Sequence, residues 1–316
     1  MTSDSTLPNA GISLGSGGSP SCPGPDPHPR LPRSFRVPVG AVDTHAHVIG
    51  LPPEFPFVAS RSYTPPEATP ASYLHMLDAT GMTYGVLIQV SVHGTDDRLM
   101  RQTLRRNRKR LRGVGVMPLD LPASAYEQAR GDGVVGLRLN VLYGGGIGFD
   151  ELPEYEALAR DMGWHLQFLL DARELAPIAD RLSRLKVPFV IDHMGHFPAA
   201  LGTELPGFRT LRELVRDGGW VKLSGAYRLA EAPPYAETVP IAQALVDAAP
   251  ERCVWGSDWP HVANWNTMMN VGDLLDTLAL WVPDEARRHR ILVENAWQLY
   301  GFTDAASAVP DFSPTA

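Results

Sequence analysis

The chain has 316 residues, of which 44% are hydrophobic and 20% are charged, and its net charge is −7. This acidic composition argues against a nucleic-acid partner, and no apolar run is long enough to predict a membrane span or a secretory leader. The only cysteines are Cys22 and Cys253, which predicts no disulfide framework and favours a reducing, cytoplasmic location.

Residues 1–36 are rich in glycine, serine and proline and contain few large apolar side chains. Burial of so few apolar groups cannot offset the entropy lost when the backbone is ordered. We therefore expect a flexible tail over residues 1–36, one large domain over residues 37–303 and a short C-terminal tail over residues 304–316.

From residue 37 onward, short apolar runs alternate with amphipathic stretches. The predicted strands are, in order, VPVGAVDTH, YGVLIQVSV, LRGVGVMPL, VVGLRLNV, WHLQFLL, VPFVIDHM, WVKLSGA and CVWGSDW. Helices are predicted over residues 70–79, 96–107, 123–130, 152–161, 175–185, 207–216, 238–249, 271–280, 284–293 and 295–300. Eight strands alternating with helices favour the α/β class and a single (β/α)8 barrel. The arginine-rich residues 101–112 are expected to form a solvated outer face.

Polar residues follow the predicted strands, where a barrel enzyme carries its active site. His45 and His47 end the first strand, His193 ends the sixth, and Asp258 follows the eighth. Residues two apart in a strand point to one side, so His45 and His47 should reach the mouth together. Such imidazoles can bind a metal or donate to an oxygen, and a carboxylate can take a proton from water. Each group alone could equally be structural, as a histidine pair or a turn aspartate.

The pieces DTHAHV, RSYTP, SVHGTDDRLM, GLRLN, IDHMG, GSDWPH and ENAWQLYGF span nearly all of residues 37–302. In this order they resemble the amidohydrolase superfamily, in the branch that contains 2-pyrone-4,6-dicarboxylate lactonase and the sugar-lactone and muconolactone hydrolases. The resemblance implies a distorted TIM barrel that hydrolyses a lactone. It also implies that Asp258 activates water while His45, His47 and His193 surround the scissile carbonyl.

The resemblance further implies that Tyr63, Arg138 and Arg228 bind substrate, and His93 is another candidate. Arginine forks suit a carboxylate, so a small acidic lactone is the expected substrate, from aromatic-acid or sugar-acid catabolism. The chain departs from the pyrone lactonase where Gly144 and His196 replace arginines and Leu169 replaces a tyrosine. These departures predict a smaller or more apolar lactone with one acidic group, with His196 retained as a substrate-binding candidate.

The fifth strand, WHLQFLL, lacks the histidine that metal-binding members place at the mouth. His165 has the right parity but lies at the strand start. We therefore expect that no metal is required, although His45, His47, Asp258 and His193 could still hold Zn²⁺ or another divalent ion. Two alternatives stay open: a metal-dependent decarboxylase of an unsaturated or aromatic acid, and a non-catalytic ligand-binding barrel. The sequence does not predict the oligomeric state.

Overall fold

The structure is a computed structural model that describes residues 19–143, 146–265 and 268–303. The predicted C-terminal tail, the first 18 residues of the predicted N-terminal tail and Gly144 lie outside the described residues. None of the described helices is both long enough and apolar enough to cross a membrane.

Eight parallel strands form one sheet in which each strand pairs with the next in the chain. They are β1 Val42–Ala46, β2 Tyr84–Ile88, β3 Leu111–Gly115, β4 Val134–Asn140, β5 His165–Leu169, β6 Phe189–Ile191, β7 Trp220–Leu223 and β8 Cys253–Trp255. Ala46 bridges to Trp259, just beyond β8, so the first and last strands meet and the sheet closes. The predicted (β/α)8 barrel is confirmed.

Helices follow the strands on the outside. They are α1 Pro70–Thr80, α2 Arg98–Arg106, α3 Ala123–Asp132, α4 Leu152–Met162, α5 Ala176–Ser183, α6 Pro206–Arg216, α7 Ala226–Leu229, α8 Val239–Ala248, α9 Val271–Trp281, α10 Glu285–His289 and α11 Asn295–Tyr300. The ends follow local chemistry: the Thr69 hydroxyl accepts from the Ser72 N–H at the start of α1, and Gly81 ends that helix with φ +80°. Short α7 was not predicted, and it matters because it carries Arg228.

The strands are buried on both faces, as a parallel sheet covered by helices requires. One set of strand side chains packs against the helices. The other set, with Val86, Val114 and Val254 from three strands, packs with Tyr300 and Phe302. This second cluster fills the N-terminal end of the barrel, so the open end is the one at which the strands finish.

Residues 19–36, which the composition assigns to the tail, lie along the barrel. The backbone N–H of Cys22 donates to the Thr64 carbonyl at 3.0 Å. A carboxylate oxygen of Asp276 accepts the N–H groups of Arg33 and Ser34, each at 2.8 Å. These contacts are polar and join positions more than 40 residues apart, so an argument from apolar content does not detect them.

The arginine-rich segment is divided between two elements. Helix α2 ends at Arg106, and Arg112 lies in β3. Arg101 and Arg105 both pair with Asp132 at the end of α3, at 2.8 and 2.7 Å. These two arginines therefore join neighbouring helices.

Candidate active site

The residues at the end of β1 are held by the segment that follows β8. Asp43 accepts hydrogen bonds from the backbone N–H and the hydroxyl of Ser257, at 2.8 and 2.7 Å, and from the Tyr73 hydroxyl. The Asp258 N–H donates to the His45 carbonyl at 2.8 Å. Asp43 thus links β1 to the segment that follows β8. Burial raises the pKa of its carboxyl to about 6.

Three imidazoles surround one carboxylate oxygen. The Nε2 atoms of His45 and His47 each lie 3.7 Å from Oδ1 of Asp258, and Nε2 of His193 lies 3.8 Å from it. All four side chains are buried. Within the described residues, neither Oδ1 of Asp258 nor Nε2 of His45 has a hydrogen-bond partner. Buried polar atoms are rarely left unpaired, so this cluster is arranged to receive a ligand.

The other oxygen of Asp258 is fully engaged. Oδ2 accepts from the Tyr227 hydroxyl at 2.5 Å and from Nε of Arg228 at 2.7 Å. Burial by itself would raise the pKa of Asp258, but the Arg228 guanidinium and the nearby histidines outweigh it, and the net pKa lies well below its ordinary value. Asp258 is therefore a carboxylate at neutral pH, with one oxygen fixed and one oxygen available.

Each imidazole is held through its other nitrogen. Nδ1 of His47 lies 2.8 Å from the Ile88 carbonyl, and Nδ1 of His193 lies 2.8 Å from the Ser224 hydroxyl. Nδ1 of His45 lies 3.3 Å from Nζ of Lys222. Burial lowers the pKa of His45 to about 3 and holds that of His193 well below its usual range, so both rings are neutral near pH 7.

The two arginines are also paired within the protein. Nε and Nη2 of Arg138 both lie 3.1 Å from Oδ2 of Asp192. Arg228 binds Asp258, and its Nη1 donates to the Tyr143 hydroxyl at 3.2 Å. Both still line the cavity above the histidines. The remaining lining side chains are His47, Tyr63, Ser91, Tyr143, Leu169, His193, Asp258 and Val262.

The cavity is small, with a volume of about 10 Å³. A single water needs that much space, so a lactone enters only if a lining side chain moves. Tyr143 stands on the loop after β4, and its ring contacts Tyr63 at 6.0 Å and His196 at 6.5 Å between centroids. Of the lining residues, Tyr143 and Arg228 are half-buried and the others are buried, and Arg228 is ion-paired with Asp258, so Tyr143 is the natural one to move.

The backbone is strained around this cavity. Asp258, His193, His196 and His261 have φ values of +61°, +49°, +49° and +64°, in a region that side chains other than glycine seldom adopt. Strain of this kind persists only where the surrounding structure fixes it, and it concentrates at functional sites. No sequence motif predicts these positive φ values.

The structure brings together most of the predicted site residues. His45, His47, His193 and Asp258 form the cluster, and Tyr63, Arg138 and Arg228 line the cavity. His93 lies apart, between Phe55 and Phe57, with Nδ1 3.2 Å from the Pro56 carbonyl. His93 ends the short helical turn Ser91–His93 that follows β2, and Ser91, at the start of that turn, lines the cavity instead.

His196 packs beside His193, with 5.1 Å between ring centroids. Burial, with a contribution from Arg228, lowers the pKa of His196 to about 3, so it carries no charge with which to replace an arginine. Four residues that were not predicted hold the predicted ones in place: Asp192, Lys222, Ser224 and Tyr227. Of these four, only Lys222 could have been singled out from the sequence, because it places a charge within the apolar run WVKL.

The cluster has the donor set of a divalent cation site. His45, His193 and Asp258 each offer a ligand atom, and these atoms lie within 4.8 Å of one another. His47 faces the same carboxylate oxygen, and its Nδ1 lies against the Ile88 carbonyl, as the second nitrogen of a metal-bound histidine often does. On β5 the inward side chains are Gln167 and Leu169. The residues therefore fit a three- or four-ligand divalent ion.

Comparison with known proteins agrees with this geometry. The chain is 34% identical over 293 residues to a 4-sulfomuconolactone hydrolase of Hydrogenophaga intermedia, covering 90% of this chain and 95% of that protein. It is 31% identical over 280 residues to a 2-pyrone-4,6-dicarboxylate hydrolase of Comamonas testosteroni, covering 84% and 92%.

Among solved structures, the crystal structure of a putative 2-pyrone-4,6-dicarboxylic acid hydrolase from Pseudomonas putida matches with a TM-score of 0.74 and 30% identity. The match covers 85% of this chain and all of that one. The family model described as amidohydrolase matches residues 42–302. The resemblance inferred from the motifs is confirmed, and this chain belongs to the amidohydrolase family.

Proposed function

We propose that this protein hydrolyses the ester bond of a small acidic lactone. The observation that carries the proposal is the free Oδ1 of Asp258 among three imidazole Nε2 atoms at the open end of the barrel. Ester hydrolysis needs a base for water and donors for the developing oxyanion, and this cluster contains both. Two relatives that cover most of the chain are named as lactone hydrolases.

The water is held by two acceptors. The Ile88 carbonyl can only accept, so Nδ1 of His47 carries the hydrogen in that contact. A neutral His47 therefore has a lone pair on Nε2, 3.7 Å from Oδ1 of Asp258. One water can donate a hydrogen to each of these atoms and direct its own lone pair at the carbonyl carbon.

The carbonyl oxygen is held by donors. His45 and His193 lie side by side, with 4.5 Å between ring centroids, and their Nε2 atoms face the same point. In the proposed reaction both donate to the oxyanion, whereas His47 accepts a hydrogen bond from the water. Asp258 takes a proton from the water as it attacks, and Asp258 then transfers this proton to the ring oxygen when the carbon–oxygen bond breaks.

Arg138 and Arg228 give the cavity its preference for an acid. Each has part of its guanidinium on the cavity wall, so a bound carboxylate would gain charged hydrogen bonds. Leu169 and the neutral His196 offer no charged partner to a second carboxylate. We therefore propose a lactone with one acidic group, as would arise in the breakdown of aromatic or sugar acids. The cytoplasmic location of the protein stays a prediction.

The substrate class is tested by comparing kcat/KM for mono- and dicarboxylated lactones of one ring type. A buried carboxylate without its charged hydrogen bond loses roughly 1.5–3 kcal/mol, so the monoacid should be preferred by about tenfold or more. A neutral lactone of the same ring serves as the control and should be hydrolysed less efficiently than the monoacid. Preference for the dicarboxylate would contradict the single-acid proposal, and hydrolysis of no lactone would contradict the function.

A divalent ion at this site would be held by His45, His193 and Asp258, with His47 beside them, and would supply Lewis-acid polarisation of the carbonyl. We propose that hydrolysis does not require one. Asp258 is already paired with Arg228. Asp192, beside His45, is paired with Arg138. These carboxylates are thus neutralised by the chain itself.

Prolonged chelation followed by desalting should therefore leave kcat/KM within about twofold of the untreated value, since the base and the oxyanion donors belong to the chain. The measurement pairs metal analysis of the treated protein with its lactone hydrolysis rate. Activity that is lost on chelation and regained with Zn²⁺ or Mn²⁺ would overturn the metal-free proposal. A regained decarboxylation of an unsaturated acid would favour the alternative raised by the sequence.

A further inference from the structure

Strand β7 places two hydrogen-bond donors beneath the histidines. Lys222 and Ser224 are two residues apart, one within the strand and one just after it, and both side chains point into the barrel. Lys222 is fully buried and Ser224 almost fully. A buried ammonium loses its hydration and is tolerated only where its hydrogens find acceptors.

The Lys222 ammonium has three hydrogens and no acceptor capacity. It donates to the Thr44 carbonyl at 2.9 Å and to Oε1 of Gln167 at 2.8 Å. Its third hydrogen faces two acceptors, Nδ1 of His45 at 3.3 Å and Oδ1 of Asp192 at 3.4 Å. If Nδ1 of His45 accepts it, the hydrogen of a neutral His45 is on Nε2.

A competing arrangement is available to His45. Oδ1 of Asp192 lies 3.3 Å from the same Nδ1, and a hydrogen on Nδ1 would donate to it. That arrangement would leave a lone pair on Nε2, opposite the carboxylate of Asp258. In the described part of the chain, Oδ1 of Asp192 has hydrogen-bond geometry with neither Nδ1 of His45 nor Nζ of Lys222, whereas Lys222 and His45 have it with each other, so the geometry favours the Lys222 arrangement.

Ser224 acts in the same way on His193. Its hydroxyl lies 2.8 Å from Nδ1 of His193, and no second partner of that hydroxyl is seen among the residues described. A buried hydroxyl needs an acceptor for its hydrogen, and Nδ1 is the one at hand. Donation by Ser224 puts the hydrogen of His193 on Nε2. His47 is the opposite case, because the Ile88 carbonyl requires a hydrogen on its Nδ1.

We infer that Lys222 and Ser224 are positioning residues that place the ring hydrogens of His45 and His193 on Nε2 and so make both imidazoles oxyanion donors. His47 has the reverse tautomer and accepts from the water. The catalytic roles of the two donor imidazoles and the one acceptor imidazole rest on the proposed function. The assignment of the tautomers does not depend on it. A divalent ion could bind at Nε2 of His45 or His193 only by displacing these hydrogens.

The test is two-bond ¹H–¹⁵N correlation NMR of the full chain labelled in its histidines, with ring signals assigned from His45→Gln, His47→Gln and His193→Gln. We expect the Nε2–H tautomer for His45 and His193 and the Nδ1–H tautomer for His47. Lys222→Met should move His45 to the Nδ1–H tautomer, and Ser224→Ala should reduce the Nε2–H population of His193. His47 should change in neither variant.

Ser91→Ala is the matched control, since it removes another buried hydroxyl of the cavity wall, one that contacts Tyr63 rather than a histidine. It should leave all three tautomers unchanged. An Nδ1–H or metal-bound His45 in the unmodified protein would overturn the inference, as would a Ser224→Ala spectrum identical to the parent. If Lys222→Met fails to fold, the parent and Ser224→Ala spectra still decide the question.

Hydrolysis kinetics give the second measurement. Loss of one well-placed oxyanion donor lowers kcat by about 10²–10³, and a partial loss of the donor tautomer should lower it by about tenfold. Ser224→Ala should therefore reduce kcat by about tenfold with KM nearly unchanged, because the group acts on the oxyanion and not on the bound acid. Expected tautomers without lactone hydrolysis would contradict the proposed function and leave the inference standing.

Discussion

Asp258→Asn should lower the turnover number for lactone hydrolysis by about two to four decades, the range over which general-base catalysis contributes. The substitution keeps the size of the side chain and leaves an oxygen for Tyr227 and Arg228. It replaces the free oxygen of Asp258, which the Nε2 atoms of all three histidines surround, with a group that cannot take a proton. KM should change much less than kcat, because the substrate's acid contacts the arginines.

The control is Asp132→Asn, which removes another buried carboxylate. Asp132 binds Arg101 and Arg105 between α2 and α3, away from the cavity. It should lower stability and leave kcat near the parent value. Steady-state kinetics at saturating substrate, with circular dichroism on both variants, make the comparison. Near-normal turnover in a folded Asp258→Asn protein would remove Asp258 from the mechanism.

The positions of the strand ends could be predicted because polar residues follow directly on the apolar runs that form buried strands. His45, His193 and Asp258 each follow such a run, and parallel strands that close a barrel finish at one face. His93 differs, because the predicted second strand ran to Val92 and placed His93 at the mouth, and its role in substrate binding stays a prediction. The strand ends at Ile88, and a short turn directs Ser91 to the cavity.

The positioning residues could not be predicted because their partners are remote in sequence. Lys222 contacts His45 across 177 positions, and Tyr227 contacts Asp258 across 31. No periodicity encodes such a pair, whereas strand pairing and barrel closure bring the two together. The contacts of residues 19–36 with α9 were missed for the same reason, since Asp276 accepts hydrogen bonds from Arg33 and Ser34.

Arg228→Met should lower kcat/KM for an acidic lactone by about one to two decades, since the substrate's acid loses a charged hydrogen bond worth roughly 1.5–3 kcal/mol. Arg228 is bound on three sides: Nε by Asp258, Nη1 by Tyr143 and Nη2 by the Val262 carbonyl. Methionine keeps much of the apolar stem and removes only the charged fork.

The same change should move the acid limb of the kcat profile to higher pH. Burial favours the protonated form of Asp258, and the Arg228 guanidinium is the largest influence that opposes it. Without Arg228 the pKa of Asp258 rises. The base is then protonated, and therefore inactive, over a range of acidic pH in which the parent enzyme still has its carboxylate. On the alkaline side of that new pKa, part of the lost turnover should return.

Arg138→Met is the matched control, because it breaks a second buried arginine–aspartate pair beside the same cavity without touching Asp258. Both variants should lose stability and bind the acid less well, so neither loss alone identifies the role of Arg228. Only Arg228→Met should shift the acid limb, since only Arg228 touches the base. Equal shifts in the two variants would mean that the pH dependence follows the general charge of the cavity. An unshifted limb in Arg228→Met would mean that Asp258 is not the group whose ionisation limits turnover.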